Sequence, residues 1–365
     1  MREIIKVLTS PFIPNHSTYW LTSLRGYAAV GVMLSHVGGC FSFLPAAVKN
    51  LFGHGKYGVA LFFLVSAFSI SASIDKKWDG YPSYITRRFF RIFPLYILTL
   101  LLCLLLGHAS GWAVELGAKA DWISFLMHIS LFNLFNVKHA NNFLGVEWTI
   151  SIEFAYYFAL PLMLVLCRKA TNKLFWFVVG TTLLILIIPI KNLDTHKSLM
   201  IFWSFPIYAW IFSLGVLLFV KADKFRYQFK KLNISENLAV CIFIATILIS
   251  YSCNLPASTL ITVVMTAFLI CALEGTGTLT RLIFRNKLMI FLGNVSFPLY
   301  LLHLAIFEFF QQFMDKNYWG LGVLTILTSI FIAYISHVAI ELPFQKLGWR
   351  LSNSFAKKYK AQTLI

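Results

Sequence analysis

Ten apolar runs, each long enough to cross a bilayer, begin near Thr18, Tyr57, Ile92, Val146, Leu174, Ile201, Leu238, Ala257, Met289 and Trp319. Charged or turn-rich segments separate them. In hydrocarbon, backbone polar groups must be satisfied internally, so runs of this length read as helices. The predicted fold class is therefore all-α: a polytopic integral membrane helix bundle of about ten transmembrane helices. Composition requires the same answer, because 59% hydrophobic and 12% charged residues leave too little polar surface to cover a soluble globule. An eleventh run, Trp122 to Phe135, spans only about fourteen residues and reads as re-entrant or interfacial. With that run not crossing, both termini fall in the cytoplasm. Of the 31 Lys and Arg residues, 23 then lie inside and seven outside, with Arg25 within the first span. That distribution is what the positive-inside rule favours. The chain divides into a cytoplasmic N-terminal segment (1–17), a membrane domain (18–346) and a basic cytoplasmic tail (347–365). The polar start, with Arg2, Glu3 and Lys6, shows no evident cleavable signal peptide.

The net charge of +17 concentrates in cytoplasmic loops such as Lys221 to Lys231 and Arg281 to Lys287. Topology and attraction to the anionic lipid bilayer account for it, and no nucleic-acid partner is implied. The six cysteines, at 40, 103, 167, 241, 253 and 271, have no paired spacing. They read as small apolar side chains, with neither a metal site nor a disulfide framework expected.

Polar residues at membrane depth are the candidates for chemistry, since an ionisable group there costs on the order of 3 kcal/mol. Arg25 and His36 lie in one run, eleven residues apart. On a helix that is about 16 Å along the axis and nearly one face, so both address one cavity at two depths. The alternatives are an arginine snorkelling to the interface and a histidine bonded to a neighbouring helix. Arg87, Arg88 and Arg91 share one helical turn at the cytoplasmic start of the third run, a geometry suited to phosphate and also to a simple topological stop. Glu153, in an otherwise apolar and aromatic stretch, must face a cation or water and is a candidate to orient a histidine. Tyr300 and His303 share a face after the helix-opening run Leu292 to Pro298. Glu341 is expected to pair with Lys346 or an arginine of the basic cluster, and Glu308 has no role legible from its position.

In order along the chain stand Leu24-Arg25-Gly26-Tyr27-Ala28-Ala29 with His36; Gly58 to Ser66; Arg88 to Arg91 with Pro94 and Tyr96; Trp148 with Glu153; Gly293 to His303; and Glu341 with Pro343. This succession, from Leu21 to Lys346, resembles the membrane acyltransferase-3 family of O-acyltransferases. Two departures are visible: Ser23 stands where an acidic residue is common, which leaves the pairing of Arg25 open, and Ala67 stands where glycine usually follows the serine.

The resemblance implies transfer of an acyl group, usually acetyl, from cytoplasmic acetyl-CoA to a hydroxyl of a cell-surface glycan or lipid-linked sugar at the outer face of the bacterial inner (plasma) membrane. Acyl-CoA would be a donor substrate, with no tightly bound cofactor. Arg87, Arg88 and Arg91 would dock its polyanionic end. His36 would act as general base or accept the acyl group itself, Glu153 or Tyr300 would hold its tautomer, and Arg25 would bind phosphate, pin the thioester carbonyl or stabilise the oxyanion. His303 would be a second histidine of the site. The resemblance leaves the acceptor and the oligomeric state open. The chain ends soon after the last run, so the extracellular esterase-like domain of some family members is not expected. The competing class is a transporter or flippase with a histidine- and arginine-lined cavity, weakened by the lack of a repeated half. A polymerase or ligase of lipid-linked glycan would usually want a larger outer loop than His108 to Gly145.

Overall fold

The computed structural model describes residues 19–170, 173, 176–181, 201, 203–252, 258–274 and 276–363, with side chains up to residue 356. The N-terminal segment, most of the run that begins at Leu174 and the loop Lys191 to Ser198 lie outside them. Among the described residues every regular element is helical, in agreement with the all-α expectation. The first half carries α1 (Tyr19–Val37), α2 (Ala46–His54), α3 (Gly58–Lys76), α4 (Tyr81–Leu106), α5 (Gly111–Glu115), α6 (Trp122–Ile129), α7 (Val137–Ala140) and α8 (Trp148–Lys169). The second half carries α9 (Ala209–Val220), α10 (Ala222–Lys231), α11 (Glu236–Ser252), α12 (Ser258–Ala272), α13 (Thr278–Phe284), α14 (Lys287–Asn294), α15 (Ser296–Gln311), α16 (Trp319–Ser336) and α17 (Leu342–Thr363).

Among the described residues four helical stretches are long and apolar enough to cross a membrane: Ala46–Lys76, Tyr81–Leu106, Trp148–Lys169 and Trp319–Ala356. Two bent pairs raise the number to six if each is one span. Parts of the runs from Leu174, Ile201 and Ala257 lie outside the described residues, and within those residues several other runs depart from a single long helix for local reasons. The run from Met289 is two helices, α14 and α15, bent by 75°. Pro298, in the first turn of α15, has no N–H to return to Asn294, which removes one of the bonds that would join the two helices into one. α9 and α10 meet at 71°, where the apolar run gives way to the basic one. α1 is diluted by Arg25, His36, Thr22, Ser23 and Ser35. α6 has 8 residues, about 12 Å of helix, too short to cross.

α1 is the central strut. Its Gly26 faces the Met289 backbone of α14, while Gly293 of α14 faces the Thr22 backbone, so the two helices touch main chain to main chain. A Cβ at either glycine would collide with backbone that cannot yield. Ser23 is buried and its hydroxyl donates to the Phe284 carbonyl, so this departure from the acidic pattern acts as a tether between α1 and α13.

Within the expected tail, residues 347–363 are helical and continue α17, which packs along α4. Ser83 donates to the Ser352 carbonyl at 3.0 Å, and the Arg87 guanidinium lies 4.9 Å from the Trp349 ring centre. On the other side of the bundle the segment after α4 is tied down by buried polar groups. The Asn142 amide nitrogen donates to the Lys119 carbonyl at 2.6 Å and to Ser124 at 2.7 Å. Its oxygen therefore accepts from His128 Nε2–H at 3.0 Å, leaving His128 Nδ1 to accept from the Tyr96 hydroxyl at 2.8 Å. A neutral histidine satisfies every partner in that cluster.

Candidate active site

A small pocket opens between four helices. Arg25 comes from α1; Phe62, Phe63 and Ser66 from α3; Thr149 and Glu153 from α8; Ser296 and Tyr300 from α15. The bend between α14 and α15 brings the last pair in, because the second helix starts in a new direction at the cavity wall.

At one end of the cavity, Glu153 Oε1 accepts from the Ser66 hydroxyl at 2.7 Å and from the Tyr157 hydroxyl at 2.6 Å. The ionisable groups close enough for Arg25 to feel are Arg91, Glu153, Tyr157 and Glu341. Glu153, which lines the same pocket, and Glu341 carry the opposite charge, while Arg91 carries the same one.

Beyond Tyr300, His36 and His303 lie with ring centres 5.2 Å apart and planes tilted by 48°. Tyr300 connects the two regions: its ring centre is 6.0 Å from that of His303 and its side chain lines the cavity. His303 is fully buried, and its Nδ1 is 2.7 Å from the Tyr300 carbonyl and 3.2 Å from that of Leu299. Carbonyl oxygens only accept, so Nδ1 carries the proton and Nε2 keeps its lone pair. That Nε2 is buried and has no protein hydrogen-bond partner.

Of the five catalytic candidates of the sequence, Arg25, Glu153 and Tyr300 line the pocket, and His36 and His303 form a separate pair that Tyr300 touches through His303. Sequence expectation and geometry differ in who holds whom. Glu153 bonds Ser66 and Tyr157, and the Tyr300 hydroxyl lies 3.0 Å from Thr149 Oγ1 and 3.3 Å from the Val146 carbonyl. The histidine tautomer that the structure fixes is that of His303, and it is fixed by main chain.

The arginine turn also divides. Arg87 spends its fork on Asp79, with two bonds of 2.9 Å, and adds a third to Ser83 at 2.8 Å. Burial alone would raise the Asp79 carboxyl; the hydrogen bonds and charge of Arg87 outweigh it and hold the carboxyl below the usual range. Arg87 is therefore occupied. Arg88 reaches Ser73 at 3.1 Å and lies 5.6 Å from the Tyr84 ring centre, but its Nε is buried without a hydrogen-bond partner.

Glu341 does not pair with Lys346. It accepts from His337 Nδ1 at 2.6 Å and from Gln345 at 2.8 Å, within a π-helical turn, His337–Glu341, that brings residues four apart into register. Glu308 accepts from the Gly111 N–H at 2.9 Å and stands 3.5 Å from His108. Sequence reasoning passed over Ser66, Thr149 and Tyr157 as site residues, although each stood in a stretch singled out for another residue. It also passed over Glu147, whose only signal was a carboxylate at the mouth of an apolar run.

A helical bundle with apolar helices of spanning length, holding a pocket lined by an arginine and a glutamate and a histidine pair beside it, is an integral membrane protein with a buried polar site. Residues 18–338 match the model of the acyltransferase domain, and the chain belongs to the acyltransferase-3 family. It is similar to the acyltransferase MdmB of Streptomyces mycarofaciens, 24% identical over 370 residues that cover 90% of this chain and 91% of the relative. A Staphylococcus aureus (strain MRSA252) protein provisionally named an O-acetyltransferase is 24% identical over 374 residues, and there the match covers 91% of this chain but 59% of the relative. Nodulation protein 10 of Rhizobium leguminosarum is 23% identical over 313 residues, covering 80% of this chain and 82% of the relative. No solved structure matches the chain. The chain is an acyltransferase, which sets aside the transporter and flippase readings.

Proposed function

We propose that the protein moves an acyl group, acetyl in the first instance, from cytoplasmic acyl-CoA to a hydroxyl of a cell-surface glycan or lipid-linked sugar at the outer face of a bacterial inner membrane. The observation that carries this reading is the histidine pair. Two imidazoles 5.2 Å apart cannot both be charged cheaply, since like charges at that distance repel by about 3 kcal/mol at an effective dielectric near 20. The pair therefore holds at most one extra proton and is suited to take one from an acceptor hydroxyl.

In the proposed step His36, half-buried beside His303, takes the hydroxyl proton as the oxygen attacks the thioester carbonyl. The new C–O bond forms, the C–S bond breaks, and the coenzyme A thiolate leaves and is protonated. Eleven residues of unbroken α1 keep Arg25 about 16 Å from His36 along the axis. A group at that distance does not stabilise an oxyanion formed beside His36. Arg25 is therefore assigned to the donor's arm or phosphate inside the cavity, with Glu153 and Glu341 balancing it. Arg88 and Arg91 take the polyanionic end of the donor, and Arg87, held by Asp79, positions the turn that presents them. Mass spectrometry of cell-surface glycans from cells with and without the gene tests the reading. Loss of an O-acyl mass increment on deletion is expected, and unchanged acylation of every glycan class contradicts it.

A further inference from the structure

Glu147 lies at the start of α8 and is fully buried, yet its side chain does not cap that helix. It folds back onto the turn before it: Oε1 accepts from the Phe143 N–H at 2.6 Å, and Oε2 accepts from Leu144 at 3.1 Å and Val146 at 3.0 Å. Three convergent N–H groups make a backbone nest filled by the chain's own carboxylate. Gly145, in the turn, has φ +77°, and Asn141 donates to its carbonyl at 2.5 Å. The turn is thus held in one conformation by a single buried anion.

That conformation touches α15 at two points one turn apart. The Val146 carbonyl accepts from the Tyr300 hydroxyl at 3.3 Å, and Thr149 donates to the same hydroxyl at 3.0 Å. A Cβ at Gly145 would come within 2.6 Å of Leu304. Between Tyr300 and Leu304 on α15 sits His303. α15 starts after a 75° bend and so inherits no direction from α14. Its orientation, and with it the place of His303 beside His36, must come from elsewhere.

We propose that Glu147 is a positioning residue for acyl transfer: by fixing the 143–146 turn it anchors the Tyr300 hydroxyl and sets the angle of the helix that carries His303. The inference rests on the proposed role of the histidine pair. It requires that Glu147 act through the Val146–Tyr300 contact, and a double-mutant cycle reads that coupling directly.

The experiment follows release of coenzyme A thiol from acetyl-CoA by inside-out membrane vesicles holding the wild-type chain, Glu147→Gln, Tyr300→Phe or both, normalised to acetyl-CoA binding sites. Glutamine presents an NH₂ where the nest needs an acceptor, and phenylalanine removes only the hydroxyl. Turnover per site is expected to fall about tenfold in each single variant with unchanged acetyl-CoA affinity, and to fall no further in the double variant. A merely structural Glu147 would lower the number of sites, leave turnover per site intact, and add to Tyr300→Phe; either result overturns the proposal. If Glu147→Gln fails to accumulate, Tyr300→Phe alone decides, because wild-type turnover per site in that variant breaks the link. His36→Ala in the same vesicles separates the two levels: full turnover there refutes the histidine reading, whereas its loss beside an unaffected Tyr300→Phe refutes only the role of Glu147.

Discussion

His303 Nδ1 lies 2.7 Å from the carbonyl of Tyr300, one turn earlier on the same helix, and this single bond fixes which nitrogen of the histidine is free. A backbone carbonyl cannot be titrated or rotated away, so the tautomer holds throughout a catalytic cycle. His303→Asn keeps a side chain that can donate to the same carbonyl but lacks the second ring nitrogen. Acyl transfer by this variant is expected to drop by about 10² while the protein still inserts, measured as coenzyme A release at equal protein in the membrane. Retention of more than half the activity would remove His303 from the reaction.

The arginine turn separates into a structural and a ligand-binding part. Arg87→Ala leaves Asp79, whose side chain is 2% exposed, with only the exposed Lys77 ammonium at 3.6 Å, and is expected to cost about 3 kcal/mol of stability with little change in acetyl-CoA affinity of the folded fraction. Arg88→Ala with Arg91→Ala is expected to weaken donor binding, and Lys at both positions to restore it only in part, since a point charge lacks the fork. Titration of acetyl-CoA into each variant in nanodiscs distinguishes them. Equal affinity in the wild type and the double variant would return Arg88 and Arg91 to topology alone.

The same pair predicts a pH signature. The folded Asp79 carboxyl lies below its unfolded value, near 3.9, so its contribution is complete above that pH and is lost as pH falls through the folded value. The thermal stability gap between the wild type and Asp79→Asn is therefore expected to be full at pH 7 and to close below about pH 4. A gap that persists unchanged at pH 3 contradicts the assignment.

Sidedness is open to direct labelling. If Trp122 to Phe135 does not cross, positions 172 and 192, both outside the described residues, are expected to face the cytoplasm and the outside respectively. Single cysteines at Asn172 and Asn192, in a background lacking native cysteines, are expected to be protected and labelled respectively by an impermeant outside reagent. The reverse pattern would place the donor and acceptor approaches on the wrong sides.

Much of this was legible in the chain because membrane helices are long and apolar, and because a charge at membrane depth has few innocent explanations. Arg25, Glu153 and Tyr300 line one pocket, and His303, beside Tyr300, lies near His36. Their pairing was not legible. That Glu153 bonds Ser66 and not a histidine, or that His303 lies against His36, depends on how α3, α8 and α15 are rotated about their axes, and an apolar run contains little of that information. The breaks were hidden for a related reason: the run across Asn294 to Pro298 is apolar on both sides of a 75° bend. The capture of Arg87 came from Asp79 across a turn opened by Gly80, at φ +93°, which local spacing on α4 does not reveal. In α17 the basic residues that suggested a tail share the helix with Trp349, whose ring lies under the Arg87 guanidinium, a contact that spacing alone does not reveal.

The central claim is that one imidazole, at His36, removes the proton of the acceptor hydroxyl. His36→Ala leaves a modest space in α1 and should neither unfold the bundle nor prevent insertion. With equal amounts of wild-type and variant protein confirmed in the membrane, mass spectrometry of the cell-surface glycans is expected to show the O-acyl increment only with the wild type. Wild-type acylation supported by His36→Ala would contradict the account.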